Sequence, residues 1–418
     1  MKNSYSKLAI TFSVAAALAV GTGLPAQAVQ NVPAPGLQAE PAVPPFYQTP
    51  EALPANNGAL IRHEPSVFYL DPLKALKAPA TVERIMYRST DSQGQPMAVT
   101  GTVLVPKTTW TGKGERPMVS YAVGTQGLGD QCAPSRKLAA GQEYEGIFIK
   151  GLLSRGYAVV VTDYEGLGTE GVHTYLNRAS QGQAVLDAAR AAQQLGTPGL
   201  PTNGPIALAG YSQGGGASAS AAELAPAYAP ELDLRGAYVG APPSDLSNVG
   251  AYIDGGLYTG FLLYALNGIA SGYDLDMTSY LNENGQATLA ANQRSCTIEG
   301  IADHAFLNTA TLTTSGKKLS TTVQVEPLKS ILKEQLLANG RKPSVPVLLS
   351  QSLLDDAIPY AQARDVAERW CDQGATVAMD TTAGPTHIGG YVAAIPRAFV
   401  FLQARFAGHR PVSSCWRL

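Results

Sequence analysis

The sequence predicts an α/β fold, a mostly parallel sheet with helices on both faces and an inserted, mainly helical cap. Short apolar runs of strand length alternate with helical stretches from residue 119 onward, the pattern of parallel strands covered on both faces. Glycines stand just past three of those helical stretches, at Gly156, Gly196 and Gly374, where a helix is expected to stop. One interval breaks the rhythm. Roughly a hundred residues separate the strand ending near Gly240 from the run that begins at Val345, far more than an ordinary connection needs.

Residues 1–28 read as a secretory signal. Lys2 and Lys7 make a positive start, an apolar segment runs from Leu8 to Leu24, and Ala26-Gln27-Ala28 is a small-x-small cleavage site. No cysteine lies near that site to carry a lipid anchor, and no later segment offers about 18 unbroken apolar residues. The product is expected to be secreted, extracellular or periplasmic if the cell has an outer membrane, with no stable membrane anchor. A formal charge of −2 with only 15% charged residues gives no reason to expect nucleic acid as a partner. The four cysteines, Cys132, Cys296, Cys371 and Cys415, are an even number in an exported chain, so two disulfides are expected among three connectivities. Their spacing fits no zinc motif, and no metal or cofactor is expected.

Residues 29–60 form a proline-rich arm that includes Pro33, Pro35, Pro41, Pro44, Pro45, Pro50 and Pro54; it cannot make a regular helix or a central strand. The alternation Ile85, Tyr87, then Val99, Gly101, Val103, Val105, with Asp91-Ser92-Gln93-Gly94 between, predicts an antiparallel pair of strands. Further strands are predicted over 119–123, 157–162, 206–209, 234–239, 345–349 and 376–379. Helices are predicted over 143–155, 180–195 and 360–373. The long interval holds an apolar stretch at 258–269 and a helical one at 328–338. The core therefore divides into 61–245 and 343–418, with 246–342 as a cap over the sheet's C-terminal edge.

The chain's chemistry centres on Gly210-Tyr211-Ser212-Gln213-Gly214, which follows the apolar run Ile206-Ala207-Leu208-Ala209. A strand that turns at once into a helix carries such a serine on a sharp elbow, and glycines two residues either side relieve the crowding. A serine attacks only if a base takes its proton and an acid orients that base. Of the histidines after Ser212, His387 follows the last predicted strand in a Gly-Pro-Thr-His-Ile-Gly-Gly loop. His304 falls inside the cap interval and His409 lies beyond the final helix. For the acid, Asp355 and Asp356 follow the 345–349 strand. Asp355 begins an Asp-x-x-Ile-Pro spacing and is preferred; Asp356 would otherwise cap the next helix, and Asp245 is a third candidate. The developing oxyanion needs two fixed donors. The N–H of Gln213 supplies one, and Gly124-Thr125-Gln126-Gly127 offers the other, with Thr125 the preferred residue.

Together these segments resemble the secretory lipase family of the lipase A type, within the α/β-hydrolases. The resemblance rests on Gly124-Thr125-Gln126-Gly127, Cys132-Ala133-Pro134-Ser135, Asp163-Tyr164-Glu165-Gly166-Leu167-Gly168, Gly210-Tyr211-Ser212-Gln213-Gly214, the Asp355 to Pro359 segment and His387, in that order. It implies hydrolysis of lipid or small-molecule carboxylic esters, without a cofactor, by a triad of Ser212, Asp355 and His387 beneath a helical cap. By the same analogy Cys132 pairs with Cys296 and Cys371 with Cys415. Many α/β-hydrolases carry His-Gly before the oxyanion donor, whereas this chain has Val123-Gly124, which leaves the second donor open. A peptidase on the same scaffold and a non-catalytic extracellular binding protein are the competing functions.

Two other motifs are set aside. Gly166-Leu167-Gly168-Thr169-Glu170-Gly171 spells a dinucleotide fingerprint, but no helix pattern follows it at once. Ser315-Gly316-Lys317-Lys318 fits S-x-x-K within a polar run expected to be a solvated loop.

Overall fold

The computed structural model describes residues 43–418; the signal segment and the first part of the proline-rich arm lie outside them. The elements run β1 (Leu60–Pro65), β2 (Ala80–Thr90), β3 (Pro96–Pro106), β4 (Met118–Ala122), α1 (Pro134–Ala140), α2 (Gly146–Ser154), β5 (Ala158–Thr162), α3 (Arg178–Gln194), β6 (Ile206–Tyr211), α4 (Gln213–Tyr228) and β7 (Leu234–Gly240). Then come α5 (Leu246–Ile253), α6 (Thr259–Gly272), α7 (Glu283–Asn292), α8 (Thr297–His304), α9 (Leu319–Thr322) and α10 (Leu328–Glu334). The chain closes with β8 (Val347–Ser352), α11 (Tyr360–Asp372), β9 (Val377–Thr382) and α12 (Thr386–Phe406).

Among the described residues these strands make one nine-stranded sheet in the order β1-β2-β3-β5-β4-β6-β7-β8-β9. The first three strands are antiparallel to their neighbours, and from β5 onward every pairing is parallel. The β2–β3 hairpin closes through Asp91, whose carboxylate accepts the N–H groups of Gln93 and Gln95, with Gly94 left-handed at φ 85°. Strands β4, β5 and β6 are buried along their whole length, as continuous apolar runs in a two-sided sheet must be. One face packs Val119, Tyr121, Phe148 and Trp370 into a core; the other packs Ile85, Val99, Ala184 and Ala188.

Several expectations change. Tyr47 of the proline-rich segment is buried and its hydroxyl meets Ser135 Oγ at 2.8 Å, and β1 begins at Leu60, the last residue assigned to the arm. The helix expected from residue 143 begins at Gly146, because Glu143 and Glu145 turn inward instead. The stretch expected to be helical to 338 leaves the helix at Glu334. Ala338 then turns left-handed, and its N–H reaches the buried Glu223 Oε1 at 2.6 Å. The interval between β7 and β8 has its own apolar cluster, including Leu262, Leu263 and Leu332. Cys132 is bonded to Cys296 and Cys371 to Cys415. The first bridge spans 164 residues and ties the loop after β4 to that helical interval.

Candidate active site

Ser212 stands between β6 and α4 at φ 59°, ψ −123°, a conformation costly for a residue with a Cβ and persistent only where the surroundings enforce it. Its N–H donates to the Gly240 carbonyl at 2.9 Å, so β7 holds the elbow from one side. Tyr211 extends the strand two residues beyond expectation. A Cβ on Gly214 would lie deep within van der Waals contact of the Ala122 carbonyl, and one on Gly210 would strike the Gly214 carbonyl. Both obstacles are backbone, which cannot swing aside. Gly214→Ala is therefore expected to give no soluble, cooperatively folding protein; a normal thermal melt of that variant would contradict the packing described.

His387 lies not in a loop, as the sequence suggests, but in the first turn of α12. Its Nδ1 is 2.8 Å from Asp355 Oδ2. Asp355 is buried. Its Oδ1 accepts the N–H groups of Ala357 and Ile358 at 2.9 and 2.8 Å, and Gln351 Nε2 donates to its Oδ2 at 2.9 Å. Burial opposes ionisation of Asp355, but His387 and these N–H groups outweigh it and hold the carboxyl below its usual range. Asp356 does not cap α11, whose N-cap is Pro359 with no side-chain bond. Its Oδ1 instead accepts the His387 backbone N–H at 2.8 Å. The two neighbouring acids thus hold the two ends of one histidine. Asp245 caps α5 through the N–H groups of Ser247 and Asn248, His304 ends α8, and the His409 carbonyl accepts a bond from Arg405.

The elbow and the histidine adjoin through Tyr211, whose ring lies 5.0 Å from that of His387 and whose hydroxyl donates to the His387 carbonyl at 2.9 Å. His387 Nε2 is buried without a hydrogen-bond partner among the described residues, and Ser212 Oγ forms no hydrogen bond there either.

In the loop after β4, the Gly124 N–H is taken by Glu145 Oε2 at 3.1 Å, whereas the Thr125 N–H is free of any bond among the described residues. The Thr125 carbonyl accepts from Tyr144 and Thr297 hydroxyls, and Thr125 Oγ1 meets Tyr175 Oη at 2.6 Å. On the other side, Gln213 begins α4, and its side-chain amide contacts His173 Nε2 at 3.0 Å. His173 Nδ1 donates to the Glu165 carbonyl at 2.7 Å. Burial pushes His173 down to about 4, so it stays neutral near pH 7. Nothing in the local pattern around His173 marks it; only its burial against Gln213 does.

Ser212 and Gln213 open into a cavity of about 40 Å³ walled by Leu246, Ile253, Phe261 and Leu262 of the helical interval. That is room for a few waters, each needing about 10–15 Å³. The Gly166 to Gly171 segment makes three left-handed glycine turns, and α3 begins only at Arg178, so the next helix does not open on the segment as a dinucleotide fingerprint requires. Ser315 and Lys318, the ends of the S-x-x-K spacing, are exposed, and Lys318 Nζ donates to the Asp254 carbonyl at 3.1 Å. Among the described residues no cluster of three or more His, Cys, Asp or Glu side chains could hold a metal ion, and no helix is long and apolar enough to cross a membrane.

Residues 133–414 match the sequence model of the secretory lipase family. The chain belongs to the secretory lipase family. It is 30% identical over 348 residues to a secreted triacylglycerol lipase of Malassezia globosa, covering 79% of this chain and 72% of that relative. The crystal structure of Candida antarctica lipase A in its closed state superposes with a TM-score of 0.77 at 25% identity, over 89% of this chain and 88% of that one. A rice cell wall degrading esterase of Xanthomonas oryzae shares the fold at 20% identity, with a TM-score of 0.69 over 85% of this chain and all of the other. This secretory lipase is accordingly a secreted serine ester hydrolase of the α/β-hydrolase fold.

Proposed function

We propose that Ser212, His387 and Asp355 form the catalytic triad, with the N–H groups of Gln213 and Thr125 as oxyanion donors. The observation that carries this reading is the Asp355–His387 pair lodged against the strained elbow that presents Ser212. Ser212 Oγ bonds to the acyl carbon while its proton passes to His387 Nε2, and the carbonyl oxygen becomes an oxyanion between the two N–H groups. The C–O bond to the alcohol then breaks, and His387 returns the proton to the leaving alkoxide. Water repeats the sequence on the acyl-enzyme and releases the acid. Asp355 keeps the proton of neutral His387 on Nδ1, so that Nε2 is free to accept.

Residues 246–342 are the cap in this reading. The cavity over Ser212 is too small for a long acyl chain, so chain-length preference depends on how far α5 and α6 withdraw. The apolar wall suits acyl groups and offers no charged pocket for a peptide side chain. The test pairs a serine-directed phosphonate with nitrophenyl esters of increasing acyl length. Mass spectrometry is expected to find the label on the Ser212 peptide, with turnover blocked in proportion. Label on another serine, or turnover that survives complete labelling of Ser212, would overturn the assignment.

A further inference from the structure

Glu143 and Glu145 sit where carboxylates are costly. They are 8% and 1% exposed, and among the described residues neither forms an ion pair. Both face the loop that carries Thr125. Glu145 Oε2 accepts the Gly124 N–H at 3.1 Å and the Tyr121 hydroxyl at 3.0 Å. Glu143 Oε1 accepts Gln126 Nε2 at 3.2 Å and the Glu145 N–H at 3.0 Å, while its Oε2 is buried with no partner. Between them, the Tyr144 hydroxyl donates to the Thr125 carbonyl at 3.1 Å. Three consecutive residues therefore grip three consecutive residues of the loop.

Around the pair stand one further carboxyl, Asp163, and one cation, Lys137; the other titratable neighbours are Tyr121, Tyr164, Tyr211, Tyr238 and Tyr391, with Tyr144 between. Two buried carboxyls without a close cation resist double ionisation. Burial pushes Glu143 up to about 7, against the bonds from Glu145 N–H and Gln126. Burial, reinforced by the charge of Glu143, drives Glu145 well above the usual carboxyl range. The two protons belong to the pair as a unit.

We infer that Glu143 and Glu145 are positioning residues for ester hydrolysis, a carboxyl pair that fixes the Thr125 loop while neutral and slows turnover when it ionises. This rests on the reading of Ser212 and Thr125 given above. By holding the Gly124 N–H, Glu145 fixes the neighbouring peptide so that the Thr125 N–H stays free for the oxyanion. An uncharged pair does so without opposing the negative charge that develops there; an ionised one opposes it. Rising pH therefore strips protons from the pair and lowers kcat.

The test is the pH dependence of kcat and KM on a short nitrophenyl ester for the wild type, Glu145→Ala, Glu145→Gln and the double variant Glu143→Gln/Glu145→Gln, with thermal melts to verify folding. Glutamine keeps an acceptor oxygen and cannot ionise. Glu145→Ala is expected to lose about 100-fold in kcat with little change in KM, as misplacement of about an ångström does. Glu145→Gln should recover about tenfold of that. Between about pH 7 and about pH 9.5 the wild-type kcat should fall several-fold while the double variant stays level. Glu145→Gln as impaired as Glu145→Ala, or a double variant that falls in step with the wild type, overturns the inference. If Glu145→Ala does not fold, the double variant alone decides. Phosphonate labelling of Ser212 in the same wild-type sample separates the failures: without label the triad reading fails and the pair's role with it, whereas label with coincident pH profiles removes only the pair's role.

Discussion

Ser212→Ala is expected to lower kcat on nitrophenyl esters by about a millionfold, the cost of losing a triad nucleophile. The substitution removes only Oγ, which makes no hydrogen bond among the described residues, and leaves the Cβ that the elbow already accommodates at φ 59°. Folding should be intact or slightly improved, so the loss is read as chemistry and not as collapse. KM should move little, because the cavity wall over the elbow is built from α5 and α6. A Ser212→Ala protein that melts normally and retains wild-type turnover would remove Ser212 from the mechanism.

Asp355→Asn is expected to cost about 10⁴-fold in kcat, since an amide in place of the acid lets the imidazole settle in the wrong tautomer. Asp355 Oδ2 receives both His387 Nδ1 and Gln351 Nε2. An asparagine that offers its N–H₂ there meets a donor in Gln351 and drives His387 to place its proton on Nε2, where it can no longer accept one from Ser212. The native carboxyl is held below its usual range. Its contribution to stability is therefore full above the unfolded carboxylate pKa of about 4 and is lost as pH falls through the lower native value. Acid unfolding of Asp355→Asn should lack that component. Asp356→Asn should cost far less, because an amide oxygen can still accept the His387 backbone N–H. Equal losses in the two variants would show that orientation of the imidazole is not the role of Asp355.

The elbow was legible in the sequence because glycines at 210 and 214 are demanded by backbone geometry, and backbone demands leave marks at fixed spacing. The parallel strands were legible because strands buried on both faces must be apolar throughout; their ends moved by at most three residues, whereas β1 carried no such signal. The choice between Asp355 and Asp356 was weakly marked. Adjacent acids differ little as sequence, and their separate tasks, one on the imidazole and one on the main chain of His387, depend on which way each side chain turns. Glu143 and Glu145 fall within the stretch predicted as a helix from residue 143, and no local pattern marks His173. Their contacts with the loop after β4 and with Gln213 lie 17 to 40 residues away along the chain, beyond any local pattern.

The α/β class, the seat of Ser212 and the long interval between β7 and β8 are written in the amino-acid order. Those features follow from periodicity, glycine placement and chain length, which are local or additive properties. The tertiary structure alone decided that His387 opens a helix, that Asp355 and Asp356 divide their work, that Gly124 N–H is taken while Thr125 N–H is left free, and that two carboxyls lie buried behind the loop. Each of these depends on which groups become neighbours after burial, where the absence of water makes every unpaired donor, acceptor or charge expensive.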